Sequence, residues 1–334
     1  MKLASGERRH LTSIADLVAD GGRIAVERIL ETARGFEPIL DREVKKVPAL
    51  SGRTVLTVFF EASTRTSSSF ELAAKRLSAD TVGLKAAGSS ADKGESLKDT
   101  ILTLDAYAPD VICLRHPHAG AAAMATRYTD AHVVNAGDGK HQHPTQFLLD
   151  LHSIRAELGS TDGRTVAIVG DVLHSRVARS AIEGFRLMGL EVLLVGPPTL
   201  IPRGIEEAGV TVSHDIASLG EADVVYVLRM QHERIAPGSN FVPTLREYAR
   251  RWGVTSDRVR PGQLVMHPGP MNRGIEISAE LADAANSLIL RQVRSGMTVR
   301  MAILYDLITR PHVGGARPAA APPTGPAERI PVAV

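Results

Sequence analysis

Short, densely apolar runs rich in β-branched residues alternate along this chain with longer segments whose apolar positions recur every three to four residues. The first such run holds Val55, Leu56, Val58, Phe59 and Phe60, the pattern of a strand buried in a parallel sheet. Downstream, Phe70, Leu72, Ala73, Ala74 and Leu77 return at helical spacing, which predicts a helix from about Ser69 to Leu77. Strands are predicted likewise at Val111 to Leu114, His132 to Asn135, Thr165 to Val169, Glu191 to Val195, Asp223 to Leu228 and Gln263 to Met266. Helices are predicted from about Glu95 to Tyr107, Pro144 to Leu158 and Val177 to Met188, with a last, longer one from about Ala284 to Arg310. This alternation specifies an α/β protein: two doubly wound parallel-sheet domains linked by two interdomain helices.

The expected boundaries follow from these elements. Residues 1–143 form a first domain and 144–283 a second, with the helix over 284–310 packing back onto the first. Residues 311–334 are rich in proline and alanine and poor in apolar bulk, so they are expected to be a disordered tail. Doubly wound sheets bind ligands at the carboxyl ends of their strands, and the chemistry-bearing residues cluster there.

With 334 residues, 44% hydrophobic and 23% charged, the chain is long enough for two cores. A net charge of +2 gives no reason to expect a nucleic-acid or membrane partner, so any anion site must come from local arginines. Cys113 is the only cysteine, which excludes an intrachain disulfide and a multi-thiolate metal site and is compatible with a reducing compartment. No stretch approaches the ~20 apolar residues of a membrane span, and the polar N-terminus lacks a signal-peptide core. A cytoplasmic protein is therefore expected.

Between the first strand and its helix lies Phe59-Phe60-Glu61-Ala62-Ser63-Thr64-Arg65-Thr66. Ser63, Thr64 and Thr66 can cap the helix, while its unpaired N–H groups and positive dipole end suit a phosphate. Arg65 adds a guanidinium that can grip two phosphate oxygens at once. An ordinary cap beside a solvated arginine would satisfy the same residues.

The string Phe59-Phe60-Glu61 followed by Ser63-Thr64-Arg65-Thr66 resembles the carbamoyl-phosphate signature of the aspartate/ornithine carbamoyltransferase family. Further strings agree with it in order. Leu114-Arg115-His116-Pro117 resembles the segment whose arginine contacts the carbamoyl carbonyl and phosphate in that family. His143-Pro144-Thr145-Gln146 resembles its His-Pro-Thr-Gln motif. By that match His143 donates to the carbamoyl oxygen, a donor of a kind worth ~10²–10³ in rate, and Gln146 bonds the carbamoyl amino group. Lys93-Gly94-Glu95, in a polar segment that includes Ser89, resembles a loop that enters a neighbouring subunit's active site. The resemblance therefore implies a homotrimer with shared sites, in which Ser89 binds phosphate and Lys93 serves both catalysis and aspartate binding.

In the second half, Val169-Gly170-Asp171 ends a strand without the G-x-G-x-x-G fingerprint of dinucleotide binding, so a nucleotide is not expected. The histidines around His141 and His143 lack thiolate companions or a helical i, i+4 pair, and no metal is expected either; no cofactor is implied. By resemblance Arg176 grips the α-carboxylate of an amino-acid substrate, while Arg229, with Gln231 nearby, grips a side-chain carboxylate. Two arginines suit a dicarboxylate, and Arg229 would repel the cationic side chain of ornithine. His267-Pro268-Gly269-Pro270 resembles the aspartate branch, where the carbonyls of Gly269 and Pro270 accept from the carbamoyl amino group. Leu173 departs from the lysine found in many members of that branch.

The implied reaction moves the carbamoyl group of carbamoyl phosphate to L-aspartate, early in pyrimidine synthesis. Arg65, Thr66, Arg115, His143 and Lys93 are the expected catalytic residues. The carbamoyl-phosphate set comprises Ser63, Thr64, Arg65, Thr66, Ser89, Arg115, His143, Gln146, Gly269 and Pro270. Whether a regulatory chain or a dihydroorotase also binds is left open, because such a surface carries no readable motif.

Overall fold

The computed structural model describes residues 8–85, 94–231 and 244–310. Its first part opens with helices α1 (Ile14–Ala19) and α2 (Arg23–Phe36), which the strand-first reading of the sequence passes over. β1 (Thr54–Phe59), α3 (Thr64–Arg76), β2 (Asp80–Lys85), α4 (Leu97–Asp105), β3 (Val111–His116), α5 (Ala121–Ala125) and β4 (His132–Asp138) follow. All four strands run parallel in the order β2-β1-β3-β4.

α6 (Pro144–Leu158) then leads to β5 (Thr165–Val169), α7 (Arg176–Leu187), β6 (Glu191–Val195), β7 (Thr211–Ser213), β8 (Val224–Val227), α8 (Leu245–Trp252), β9 (Leu264–Met266) and α9 (Ala279–Ala282). These strands form a second parallel sheet, ordered β7-β6-β5-β8-β9. The chain order reverses between β1 and β3 in one sheet and between β5 and β8 in the other. Both switch points open toward the carboxyl ends of the central strands, where ligands bind in such sheets.

Strand periodicity partitions the core. Val55 and Phe59 of β1, with Val166 and Ile168 of β5, face a common central cluster. The alternate residues Leu56 and Val58 pack in an outer layer of the first sheet, and Ala167 and Val169 in an outer layer of the second. Residues two apart share a face of a strand, so one sequence supplies both layers. The central cluster continues through Phe147, Leu148 and Leu151 of α6 and through Val299, Met301 and Ile303 of α10 (Ile289–Thr309). α10 packs on α2, α3 and α6 and reaches β9. The two sheets are therefore welded along two helices.

Two differences from the sequence-based expectations bear on the site. The last helix begins at Ile289 rather than near Ala284, because residues 284–288 turn to pair with the edge of β9 through Val265 and Leu288. β3 and β4 also run further than their apolar runs, to His116 and Asp138. Sheet pairing there is carried by backbone groups that polar residues supply equally well. Ser89, Lys93 and the expected 311–334 tail lie outside the described residues.

Candidate active site

A cleft of about 500 Å³ lies between the two sheets, lined from both sides. β1 delivers the first wall. After Phe59 the chain turns through Glu61 and enters α3 at Thr64, with Ser63 as N-cap residue. The Ser63 hydroxyl, expected to cap, makes no side-chain cap bond. At φ −159° and ψ 84° it differs from Ser175, whose Oγ accepts from Ala178 N at 3.1 Å and caps α7. The start of α3 thus retains first-turn N–H groups that the helical ladder does not use, directed to the cleft with Ser63, Thr64, Arg65 and Thr66 on its lining. The Arg65 pKa is lowered, first by burial and then by Arg229 across the cleft. Two cations facing one space favour an anion there.

Arg115 projects from within β3 rather than from the loop after it. It sits where the register with β4 shifts between Leu114 and His116, a bulge that re-aims a side chain. Its Nη1 donates to Ala136 O at 3.3 Å, and its Nε lies 3.3 Å from the Glu61 carboxylate. The end of β4 is tied by buried Asn135 and Asp138: Asn135 Nδ2 donates to Asp138 Oδ1 at 2.7 Å, and Asp138 also accepts from Gly120 N at 2.6 Å. This knot turns the chain toward α6, where buried His143 is the N-cap residue and its backbone N donates to Ser180 Oγ at 2.8 Å. Gln146 lies one turn into α6, with Nε2 donating to Asp150 Oδ1 at 2.9 Å. Its remaining carbonyl oxygen can accept from an amide.

The second sheet supplies the facing wall. Arg176 is the first residue of α7 and only 3% exposed. It donates to Glu61 at 2.7 Å and to Gly139 O at 3.3 Å. Gly137, at φ +113°, passes so close that an added Cβ would lie 2.8 Å from Arg176 Nε. Arg229 follows β8 and donates to Gln231 Oε1 at 3.4 Å, while Gln231 N donates to the buried Asp171 carboxylate at 3.1 Å. Leu173 stands two residues beyond Asp171, and its backbone N donates to Leu200 O at 2.9 Å.

The third contribution is the loop after β9. His267 is buried, and its Nδ1 accepts from Gly269 N at 2.8 Å. Burial first, then nearby cations, depress its pKa against the opposing pull of Glu276, 3.3 Å away. This pins Pro268, Gly269 and Pro270 against the cleft. Gly269 has φ +63°, and a Cβ there would collide with the Arg65 guanidinium.

Of the expected site residues, the structure brings Ser63, Thr64, Arg65, Thr66, Arg115, His143, Gln146, Arg176, Arg229, Gln231, Gly269 and Pro270 onto one cleft. Sequence reasoning assigned no part to Glu61, Gln292 and Arg300. Glu61 was visible within the first string, and its carboxylate is what joins Arg115 and Arg176. Arg300 had one signal, a cation on the apolar face of a long helix. It lies over the Phe70 ring, 5.1 Å from its centre, and donates to Ser69 Oγ at 2.8 Å. Burial lowers its pKa to about 10. Among the described residues no group of acids, histidines and cysteine is arranged to hold a metal, and no helix is long and apolar enough to cross a membrane.

Two family models match in tandem. The carbamoyl-phosphate-binding domain of aspartate/ornithine carbamoyltransferases matches residues 9–156, and the aspartate/ornithine-binding domain matches residues 162–307. The chain belongs to the aspartate/ornithine carbamoyltransferase family. Among curated members it is 54% identical over 303 residues to an aspartate carbamoyltransferase catalytic subunit of Pelotomaculum thermopropionicum, covering 90% of this chain and 96% of that one. It is 50% identical over 312 residues to that of Mycolicibacterium smegmatis, covering 90% and 96%.

Among solved carbamoyltransferase structures, the Trypanosoma cruzi enzyme bound to N-(phosphonacetyl)-L-aspartic acid superposes with a TM-score of 0.79 at 33% identity, over 91% of this chain and 97% of that one. The catalytic subunit of M. jannaschii aspartate transcarbamoylase superposes at 0.78 with 35% identity, over 90% of this chain and 98% of that one. The boundary between the two family domains falls within residues 157–161, at the end of α6. By this division α6 belongs with the first domain in sequence while bridging to the second in space.

Proposed function

We infer that the chain transfers the carbamoyl group of carbamoyl phosphate to L-aspartate, giving N-carbamoyl-L-aspartate and phosphate. One observation carries the reading: the start of α3, Arg115, His143 and Gln146 from one sheet converge on a single cleft with Arg176 and Arg229 from the other. The T. cruzi relative, similar over nine-tenths of this chain, has been solved with carbamoyl phosphate and aspartate bound together.

The phosphate sits at the start of α3 with Ser63, Thr64, Arg65 and Thr66, where N–H groups and a guanidinium complement its charge. Arg115 and His143 face the carbamoyl oxygen. The Gln146 carbonyl oxygen and the carbonyls of the Pro268 to Pro270 loop accept from the carbamoyl amino group. Arg176 holds the α-carboxylate of aspartate and Arg229, steadied by Gln231, the side-chain carboxylate. The unprotonated amine attacks the carbamoyl carbon, and charge builds on the former carbonyl oxygen among Thr66, Arg65, Arg115 and His143. Collapse breaks the bond to phosphate oxygen, and the departing phosphate takes the amine proton. No side chain acts as general base, so rate comes from orientation and preorganised electrostatics.

The active unit in this reading is a homotrimer in which Ser89 and Lys93 complete a neighbour's site. Support comes from the motif Lys93-Gly94-Glu95, from β2 as an edge strand leading into that segment, and from exposed Leu72 on α3 and Val82 on β2. The single thiol, Cys113, is buried with its pKa pushed up by burial, which suits a protein of the cytoplasm.

A colorimetric carbamoyl-amino-acid assay with aspartate and ornithine side by side tests the reaction. Aspartate is expected to be carbamoylated and ornithine not; the reverse preference would overturn the assignment of Arg229. Mixing Lys93→Ala chains with Arg65→Ala chains tests the shared site, since hybrid trimers should regain activity. Chains shown to mix yet staying inactive would rule it out.

A further inference from the structure

Behind the cleft, outside every set of residues so far assigned, lies a buried carboxylate on which three elements converge. Asp150 of α6 is completely buried. Its Oδ1 accepts from Gln146 Nε2 at 2.9 Å and from Gln292 Nε2, on α10, at 2.7 Å. Its other oxygen accepts from the hydroxyl of Tyr226, on β8. Gln292 carries the connection onward, because its Oε1 accepts from His267 N at 3.0 Å. His267 Nδ1 in turn accepts from Gly269 N. One carboxylate oxygen is thus two hydrogen bonds from the loop on one side of the carbamoyl site and one from Gln146 on the other. Tyr226 precedes Arg229 by three residues on the same strand and its continuation.

We propose that Asp150 is a positioning residue for carbamoyl transfer, holding Gln146 and, through Gln292, the His267 to Pro270 loop in the register that grips the carbamoyl amino group from both sides. An amide side chain such as Gln146 can present either its oxygen or its nitrogen to the cleft. Acceptance of the Gln146 amino group by Asp150 settles that choice and leaves an acceptor for the substrate's N–H. Gln292 is fixed in the same way, its amino group on Asp150 and its oxygen on His267 N. Ionised, the carboxylate accepts at both oxygens and donates at neither, so it orients both glutamines and the tyrosine hydroxyl at once. Retention of a charged group in an apolar interior is costly, and an apolar residue would serve the packing of α6 against α10 and β8 as well.

The inference rests on the reading of Gln146 given above, and the test separates the two. Four variants of the full chain are compared: Asp150→Ala, Asp150→Asn, Gln146→Ala and the Asp150→Ala/Gln146→Ala double. Asp150→Ala should lower kcat ~100-fold, the scale of losing one oriented polar contact in the transition state, with smaller changes in KM for either substrate. Asp150→Asn keeps an oxygen for both glutamines and can donate to the Tyr226 oxygen, so it should recover kcat to within ~5-fold of the parent. If Asp150 acts through Gln146, the double variant falls less than ~10-fold below Gln146→Ala, whereas independent effects multiply. Asp150→Leu/Tyr226→Phe replaces the buried polar pair by an apolar one, so it keeps the fold should Asp150→Ala lose it, and it must show the same loss in kcat.

Full activity in Gln146→Ala refutes the role of Gln146. An essential Gln146 with multiplicative losses in the double, or with Asp150→Leu/Tyr226→Phe as active as the parent, refutes the role of Asp150.

Discussion

Replacing Glu61 with alanine should impair the reaction with aspartate far more than it impairs folding. Glu61 lies in the turn between β1 and α3, while Arg176 opens α7 on the opposite side of the cleft. Their contact at 2.7 Å has one almost wholly buried partner, with Arg176 at 3% exposure and Glu61 at 25%. Arg115 shares the same carboxylate oxygen at 3.3 Å. Removing one partner of a buried pair costs about 3–5 kcal/mol. Glu61 is a quarter exposed, so water can solvate part of the abandoned guanidinium, and a discounted cost of about 2–3 kcal/mol is appropriate.

That loss falls on the apposition of the two domains, because neither sheet's core includes the pair. At 1.4 kcal/mol per tenfold, 2–3 kcal/mol predicts a fall of roughly 30- to 150-fold in kcat/KM for aspartate. Arg176 spends two of its donors on Glu61 and Gly139, and in the proposed reading others already hold a substrate carboxylate, so its freed edge offers no compensating gain. Steady-state carbamoyl-aspartate formation measures the effect, with carbamoyl-phosphate affinity expected to change less than ~5-fold because the phosphate is held chiefly by the start of α3, whose N–H groups do not depend on this carboxylate. The thermal midpoint should stay within ~3 °C of the parent. Unchanged kcat/KM, or a collapse of the thermal midpoint with catalysis of the folded fraction intact, would refute the reasoning.

Gly269→Ala should lower activity ~10²-fold or more, since the new methyl displaces Arg65 from the cleft and an L-residue at φ +63° adds about 1–2 kcal/mol of strain; wild-type phosphate affinity in that variant would contradict it. Burial drives the Asp150 carboxyl from 3.8 up to about 7. The folded state therefore holds a proton that the unfolded chain has released, so stability falls as pH rises from about 4 through about 7. The ceiling on that loss is on the order of 4 kcal/mol. Asp150→Asn should raise the thermal midpoint more at pH ~8 than at pH ~5, and an equal gain at both would show that the carboxyl does not titrate there. Native Cys113, fully buried in β3, should resist a thiol reagent that titrates it after denaturation; fast labelling of the folded chain would show that β3 opens.

Several parts of the site were legible without coordinates because they are local. The turn from β1 into α3 joins a strand signal to a helix start with small hydroxyl residues between, and chain geometry alone puts N–H groups and Arg65 at that point. The His143 to Gln146 string likewise opens a helix, with Pro144 suited to its first turn, and α6 runs over the expected residues. Cap chemistry was less legible. Ser63 and Ser175 occupy equivalent positions before helices, yet only Ser175 closes on its own helix. Backbone torsions at one residue decide that outcome, and residue type does not encode them.

The sequence by itself determined the central strands and the helices that carry the site, the parallel α/β class and the identity of the cations, because hydrophobic period and local spacing act over a few residues. Tertiary structure decided which groups share a charge. Glu61 links Arg115, 54 positions later, to Arg176, 115 positions later. Asp150 joins Gln146 one turn away to Tyr226 and to Gln292, 76 and 142 positions on. Such partnerships depend on how α6 and α10 pack between two sheets, and packing is set by the sum of apolar contacts across the whole core. A buried carboxylate leaves no periodic trace in the chain; only its neighbours in space reveal what it holds.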